Sequence, residues 1–324
     1  MNASANKHRA ALVAQARDTI AYGSQSFAAA SRLFAPATRE RAWLLYFWCR
    51  ALDDLTDGQD FGHGTFDTAD PSVNQALLAS LTAAALDTDT PVPPAFAALR
   101  QVAREIALPR YMVDDHLAGF ALDAVTWRPP DQDGLLRYCY HVAGTVGCMM
   151  AIVMGVDPAD EHTLDRACDL GLAFQLANIA RDIVPDAEVG RCYVPAAWLA
   201  EHDLSEDRMA DPANRTALAA IAGRLVAMAG PYRASARTGA SRLPARSRLA
   251  VLSADAIYGA IGERVVERGE GAWDERVRIS KAEKAALLMR AIVRGFGPPS
   301  PVPRVGLWTR PRRGQSSASS GARS

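Results

Sequence analysis

At 324 residues, 49% apolar and 22% charged, the chain is long enough for one large globular domain or two of ordinary size. Lys+Arg and Asp+Glu balance at 36 each, so no basic excess directs it to nucleic acid. The five cysteines are odd in number, scattered and form no CxxC pair, which fits buried thiols in a reducing cytoplasm better than a disulfide framework or zinc site.

The N-terminal MNASANKHRAALVAQARD has no apolar core of signal-peptide length, so no secretion is expected. Apolar positions recur at three and four residues over 10–22 and 39–55, which predicts helices there. Within the second, YFWCRALDDLTD at 46–57 places Asp53 and Asp57 four residues apart on one helical face, with Arg50 one turn earlier. Turn residues cluster at 58–71 and 87–94. A helix is expected from Ser72, and Pro93 and Pro94 open another towards Ile106. Asp114, Asp115 and Asp123 form a further acidic group, and read as capping or surface residues.

After a break at 128–134, residues 138–156 hold no acid, lysine or arginine and approach membrane-spanning length. His141, two tyrosines and three glycines make a buried central helix the better reading. Gly144 and Gly147 leave room on one face for a neighbouring backbone or an apolar ligand. A start at 157–161 leads into a long periodic run over 161–184. Its end, QLANIARDIVPDAEVGRCYVP at 175–195, repeats the acidic spacing with Asn178, Asp182 and Asp186, beside Arg181 and Arg191. Further helices are expected over 213–229, over 245–267 and from Ser280. Convincing alternating strands and fixed-period repeats are absent. The expectation is one all-α domain over 1–296, followed by a Pro-, Ser-, Gly- and Arg-rich disordered tail over 297–324.

Like charges at this helical spacing repel by a few tenths of a kcal/mol. One such helix is usually a solvated acidic face. Two, each set in apolar helix with arginine alongside, ask for a compensating cation. Hard oxygen donors without histidine or cysteine favour Mg²⁺, with Mn²⁺ as the alternative, bridging to substrate phosphates. Such a cation reverses the local sign and stabilises a diphosphate leaving group. Arginine, in Arg50, Arg181 and Arg191, matches phosphate oxygens. The carbocation left behind needs an apolar cavity with aromatic walls, for which Tyr46, Phe47, Trp48, Tyr138, Phe174 and Tyr258 are candidates. His116 and His141 read as core histidines. The GxG fragments at 62–64 and 269–271 form no nucleotide fingerprint, and no nicotinamide cofactor is expected.

The segments YFWCRALDDLTD and QLANIARDIVPDAEVGRCYVP closely resemble the two signatures of the squalene/phytoene synthase family. RYCYHVAGTVG and DRACDLGLAFQLANIARDI are similar to segments of its bacterial phytoene-forming members, and the likeness runs from about residue 22 to about 288. The resemblance implies the all-α isoprenoid synthase fold, a helical bundle around a central cavity. It also implies head-to-head condensation of two geranylgeranyl diphosphates, through a cyclopropyl diphosphate, to phytoene. Metal binding is implied for Asp53 and Asp57, and for Asn178, Asp182 and Asp186. Diphosphate contacts carry over to Arg50, Arg181, Arg191 and Arg276, and more weakly to Lys284. Tyr46, Tyr138 and Tyr258 match tyrosines lining the reaction cavity, while Ser24, Ser26 and Phe27 match a phosphate-contacting segment.

Two departures stand out. Gln25 replaces the usual lysine or arginine, which predicts weaker substrate affinity but intact chemistry. Pro185 removes a backbone donor and crowds the Arg181 carbonyl, so the helix is expected to end or kink there and turn Asp186 aside. The rival readings are a squalene or dehydrosqualene synthase using farnesyl diphosphate, separated by cavity depth, and a non-catalytic helical scaffold of the same fold. Greasy substrate and product predict a cytoplasmic enzyme in peripheral contact with a membrane surface. Trp308 among Arg304, Arg310, Arg312 and Arg313 offers the attachment, set against a plain solvated tail.

Overall fold

A computed structural model describes residues 3–57, 71–296 and 301–312. Among these the chain is helical and has no strand. In order run α1 (Ala3–Gly23), α2 (Gln25–Ser31), α3 (Pro36–Asp57), α4 (Pro71–Asp87), α5 (Pro94–Glu105), α6 (Arg110–Ala124) and α7 (Gln132–Cys139). There follow α8 (Thr145–Val153), α9 (Glu161–Glu188), α10 (Ala196–Ala200), α11 (Arg215–Ala240), α12 (Ala245–Arg268) and α13 (Lys281–Phe296). Local chemistry sets many of the starts. Pro94 opens α5, and the Asp160 side chain caps α9 by accepting from the Thr163 N–H at 3.1 Å. A reciprocal pair opens α13: Ser280 N donates to Glu283 at 2.8 Å and Ser280 Oγ accepts from Glu283 N at 3.2 Å.

The core gathers around α9, which packs against α7, α8, α11 and α12 and buries Leu164, Cys168, Leu172, Leu176, Ile179 and Ile183. On α3, Leu44, Leu45, Trp48 and Leu52 form the matching buried stripe. The uncharged stretch 138–156 lies inside this core, as expected, and no described helix is long and apolar enough to cross a membrane. It is not one helix, however. A π-helical turn, Tyr140–Gly144, joins α7 to α8. Backbones pack closely beside that turn. A Cβ on Gly171 would lie 2.2 Å from the Ala143 carbonyl oxygen, and one on Gly147 would lie 2.3 Å from that of Ala167.

Two expectations are corrected. Pro185 does not end α9, which continues to Glu188. The proline sits in the last turn of a 28-residue helix, so it forfeits one backbone bond there, and Arg191 N caps the Asp186 carbonyl at 2.8 Å. Nor is the C-terminal segment loose throughout. Residues 301–312 form an extended strap across α9 and α11. Arg304 grips the fully buried Asp169 with two bonds of 2.8 Å, while Arg310 and Arg312 pair with Glu161 and Asp165. Trp308 N donates to Tyr232 Oη at 3.2 Å. These three arginines therefore pair with acids of α9, where the sequence alone set a lipid surface against plain solvent. Residues 297–300 and 313–324, including Arg313, lie outside the described residues.

Glu105 ties α5 to α1 and α3, accepting from Arg9 Nε at 2.6 Å, Arg41 Nε at 2.8 Å and Gln101 at 2.8 Å. Burial raises its carboxyl, but these hydrogen bonds and the Arg9 charge outweigh burial and hold it at about 2. An unfolded glutamate titrates near 4.3, so this stabilisation is present above that pH and lost as pH falls through 2. Glu105→Gln is expected to lower the unfolding free energy at pH 7 by about 1–3 kcal/mol. In urea titrations across pH, the gap to the wild type should close near pH 2; a gap independent of pH would refute the assignment.

Candidate active site

Both acidic segments end their helices, Asp53 on the last turns of α3 and Asp182 and Asp186 on those of α9. The negative end of each helix dipole adds to their charge and deepens the local need for a cation. Asp53, Asn178, Asp182 and Asp186 line one polar chamber of about 350 Å³, together with Arg50, Arg181 and Arg191. An apolar chamber of about 330 Å³ adjoins it, and Val142, Gln175 and Asn178 belong to both. The first walls off water-loving groups; the second offers Phe27, Tyr46, Met150, Phe174 and Tyr258.

The arginines already face acids. Arg50 Nε donates to Asp54 Oδ1 at 3.0 Å, with Nη1 4.0 Å from Asp53. Arg181 Nε donates to Asp182 Oδ1 at 2.9 Å, and Arg276 Nη2 to Asp182 Oδ2 at 3.2 Å. Arg191 reaches the chamber after a turn at Gly190, whose φ of 75° belongs to the left-handed region that favours glycine. Burial, and then the charge of Asp182, push the Asp186 carboxyl up to about 7 against the pull of Arg191, Arg181 and Arg276.

Most of the expected residues converge. Tyr46 and Tyr258 line the apolar chamber and Tyr138 the polar one; burial raises all three phenols. Tyr46 sits so close over Gly23 that a Cβ there would lie 2.6 Å from its hydroxyl. Tyr258 stacks on Phe174 with centroids 4.0 Å apart. Ser24 caps α2 and also lines the apolar chamber. Lys284 lines neither chamber. The Asp57 and Ser26 assignments, like that of Gln25, lie outside the described side chains. His116 is a core histidine, its ring buried and bonded at Nδ1 to the His141 carbonyl at 3.0 Å.

One site residue was misread. Asp123 is no surface acid: it lines the polar chamber and accepts from both Tyr138 and Tyr193 at 3.0 Å. Those rings stack with centroids 4.8 Å apart.

A divalent cation fits this donor set. Half-buried Asp186 is driven towards protonation by desolvation and then by the charge of Asp182, a conflict that positive charge resolves. Among the described residues, no three His, Cys, Asp or Glu side chains are grouped closely enough to cage an ion by themselves. An ion held by one or two carboxylates would draw its remaining oxygens from water and phosphate, as Mg²⁺ commonly does.

An acid- and arginine-lined mouth opens into an apolar chamber within an all-α bundle of the isoprenoid synthase fold, and the family and relatives that the chain matches make it a prenyl-transferring enzyme. Residues 20–283 match the family model for squalene/phytoene synthase, and the chain belongs to that family. A phytoene synthase of Pseudescherichia vulneris is 46% identical over 305 residues, spanning 93% of this chain and 98% of the relative. A 15-cis-phytoene synthase of Enterobacter agglomerans is 51% identical over 277 residues, spanning 83% and 91%. The crystal structure of a ligand-bound dehydrosqualene synthase superposes with a TM-score of 0.78 at 24% identity, covering 89% of this chain and 98% of that one.

Proposed function

We propose that the protein condenses two molecules of geranylgeranyl diphosphate head to head, through a cyclopropyl diphosphate, into 15-cis-phytoene with release of diphosphate. The observation that carries this is the junction of the two chambers: a diphosphate held among Asp53, Asp182 and the arginines places its prenyl chain directly into the apolar one. The high identity to bacterial phytoene synthases supports the twenty-carbon substrate.

Asp53, Asn178, Asp182 and Asp186 hold Mg²⁺, or Mn²⁺, in this reading. When bound, the ion supplies Lewis acidity that stabilises the departing diphosphate. Arg50, Arg181, Arg191 and Arg276 orient phosphate oxygens and keep the leaving group at the mouth. The aromatic faces of Tyr46, Phe174 and Tyr258 stabilise the allylic cation and exclude water that would quench it. Among the described residues no carboxylate or imidazole lines the apolar chamber. Proton loss therefore falls to the departed diphosphate or to a border tyrosine such as Tyr46.

Incubating purified protein and Mg²⁺ with geranylgeranyl or farnesyl diphosphate, and identifying the hydrocarbon by mass spectrometry, tests the proposal. Phytoene is expected from the first. Squalene or dehydrosqualene as the dominant product would replace this reading with the fifteen-carbon one, and no metal-dependent diphosphate release would leave a scaffold. Peripheral contact with a bilayer belongs to the same proposal, since Val125 and Val189, both well exposed, follow site acids Asp123 and Asp186 closely in the chain. Failure to float with liposomes would remove it.

A further inference from the structure

The apolar chamber follows one face of α9 from Asn178 through Gln175, Gly171 and Ala167 to Arg166 and Thr163. Fifteen residues of helix span about 22 Å. An isoprene unit adds four C–C bonds of about 1.5 Å each, or roughly 5 Å of extended chain. The chamber thus matches about four units, and near its deep end, one helical turn short of Thr163 and about 18 Å from Asn178, it is lined by an unusual residue. Arg166 is buried, and its stem runs across Gly239 so closely that a Cβ there would lie 2.6 Å from Arg166 Cβ.

The head of that side chain is fixed from behind. Nη1 donates to the Ser235 carbonyl at 3.2 Å and to its hydroxyl at 3.1 Å, while Nη2 donates to the Val302 carbonyl of the strap at 3.0 Å. Ser235 in turn donates to Asp169 at 2.5 Å, the acid gripped by Arg304. Val302 N is anchored on Thr238 Oγ1 at 3.1 Å. A long cationic side chain, costly to bury, is thereby held in place by its two Nη atoms while it lines the cavity, its Nε buried without a partner.

We propose that Arg166 forms the floor of the prenyl chamber and sets the longest chain it accepts, with Ser235 and the strap as its positioning elements. This rests on the prenyl diphosphate reading above. The test measures binding of unreactive thiolodiphosphate analogues with twenty- and twenty-five-carbon chains, alongside kcat/KM for the corresponding substrates. In Arg166→Ala the ratio favouring the longer chain is expected to rise roughly tenfold or more. Arg166→Lys, whose stem has similar reach, keeps the wild-type ratio, and Ser235→Ala shifts it the same way by less. An unchanged ratio in Arg166→Ala overturns the proposal, as does an equal shift in Arg166→Lys. Should Arg166→Ala not fold, an unchanged ratio in Ser235→Ala is the overturning result. If the wild type binds no analogue of either length, the functional reading itself has failed, a result distinct from a lost length preference.

Discussion

Replacing Asp182 with asparagine is expected to lower kcat/KM for geranylgeranyl diphosphate by roughly a hundred- to a thousandfold, the scale of losing one preorganised electrostatic contact in a water-poor site. Asp182 is the meeting point of the polar chamber, bonded to Arg181 and Arg276 and close enough to Asp186 to raise its carboxyl. An asparagine still accepts hydrogen bonds from those arginines, so the fold should survive while the negative charge is lost. The Mg²⁺ concentration giving half-maximal rate should rise in the same variant. Asp54→Asn is the comparison: Asp54 stands next to Asp53 in the acidic segment of α3 but bonds Arg50 and does not line the chamber. Steady-state diphosphate release should fall much further in Asp182→Asn than in Asp54→Asn. Equal losses would mean that general acidity at the mouth, not a specific holding residue, is what matters.

Much of this site was legible because its signal is local. An acid recurring at four residues on an apolar helix is unfavourable unless something positive faces it, and α3 and α9 both show that pattern in single segments. Asp123 escaped for the opposite reason. Its tyrosine partners lie 15 and 70 residues away, and no short window contains the contact. The π-helical turn escaped too: it sets the Ala143 carbonyl against Gly171, again a contact between elements. Pro185 misled because a propensity rule was applied to a residue in a last turn, where tertiary packing and the cap on Asp186 outweigh one missing bond. The strap is the instructive case. Glu161, Asp165 and Asp169 repeat every four residues on the helix that carries the active-site acids, so the same argument asked for cations there too. Composition alone assigned Arg304, Arg310 and Arg312 to a disordered tail, although they are those cations.

Arg304→Ala should therefore destabilise the protein by about 3–5 kcal/mol at neutral pH, the usual penalty for stranding one member of a buried ion pair. Asp169 has no exposure, and only the Ser235 hydroxyl would remain to satisfy it. Burial already raises its carboxyl above the ordinary aspartate value, with Arg304 pulling the other way. Removing the arginine raises it further. A carboxyl whose folded value exceeds its unfolded one favours the fold below the unfolded value, near 3.9, and loses that advantage as pH rises through the folded value. The penalty in Arg304→Ala should accordingly be full at neutral pH and fade towards pH 4. Adding Asp169→Asn to Arg304→Ala should recover most of the loss at pH 7, because the second change removes the stranded charge. Guanidinium unfolding of the two variants measures both effects. A double variant no more stable than Arg304→Ala would show that the strap contributes through its apolar contacts, with the buried acid indifferent to its partner.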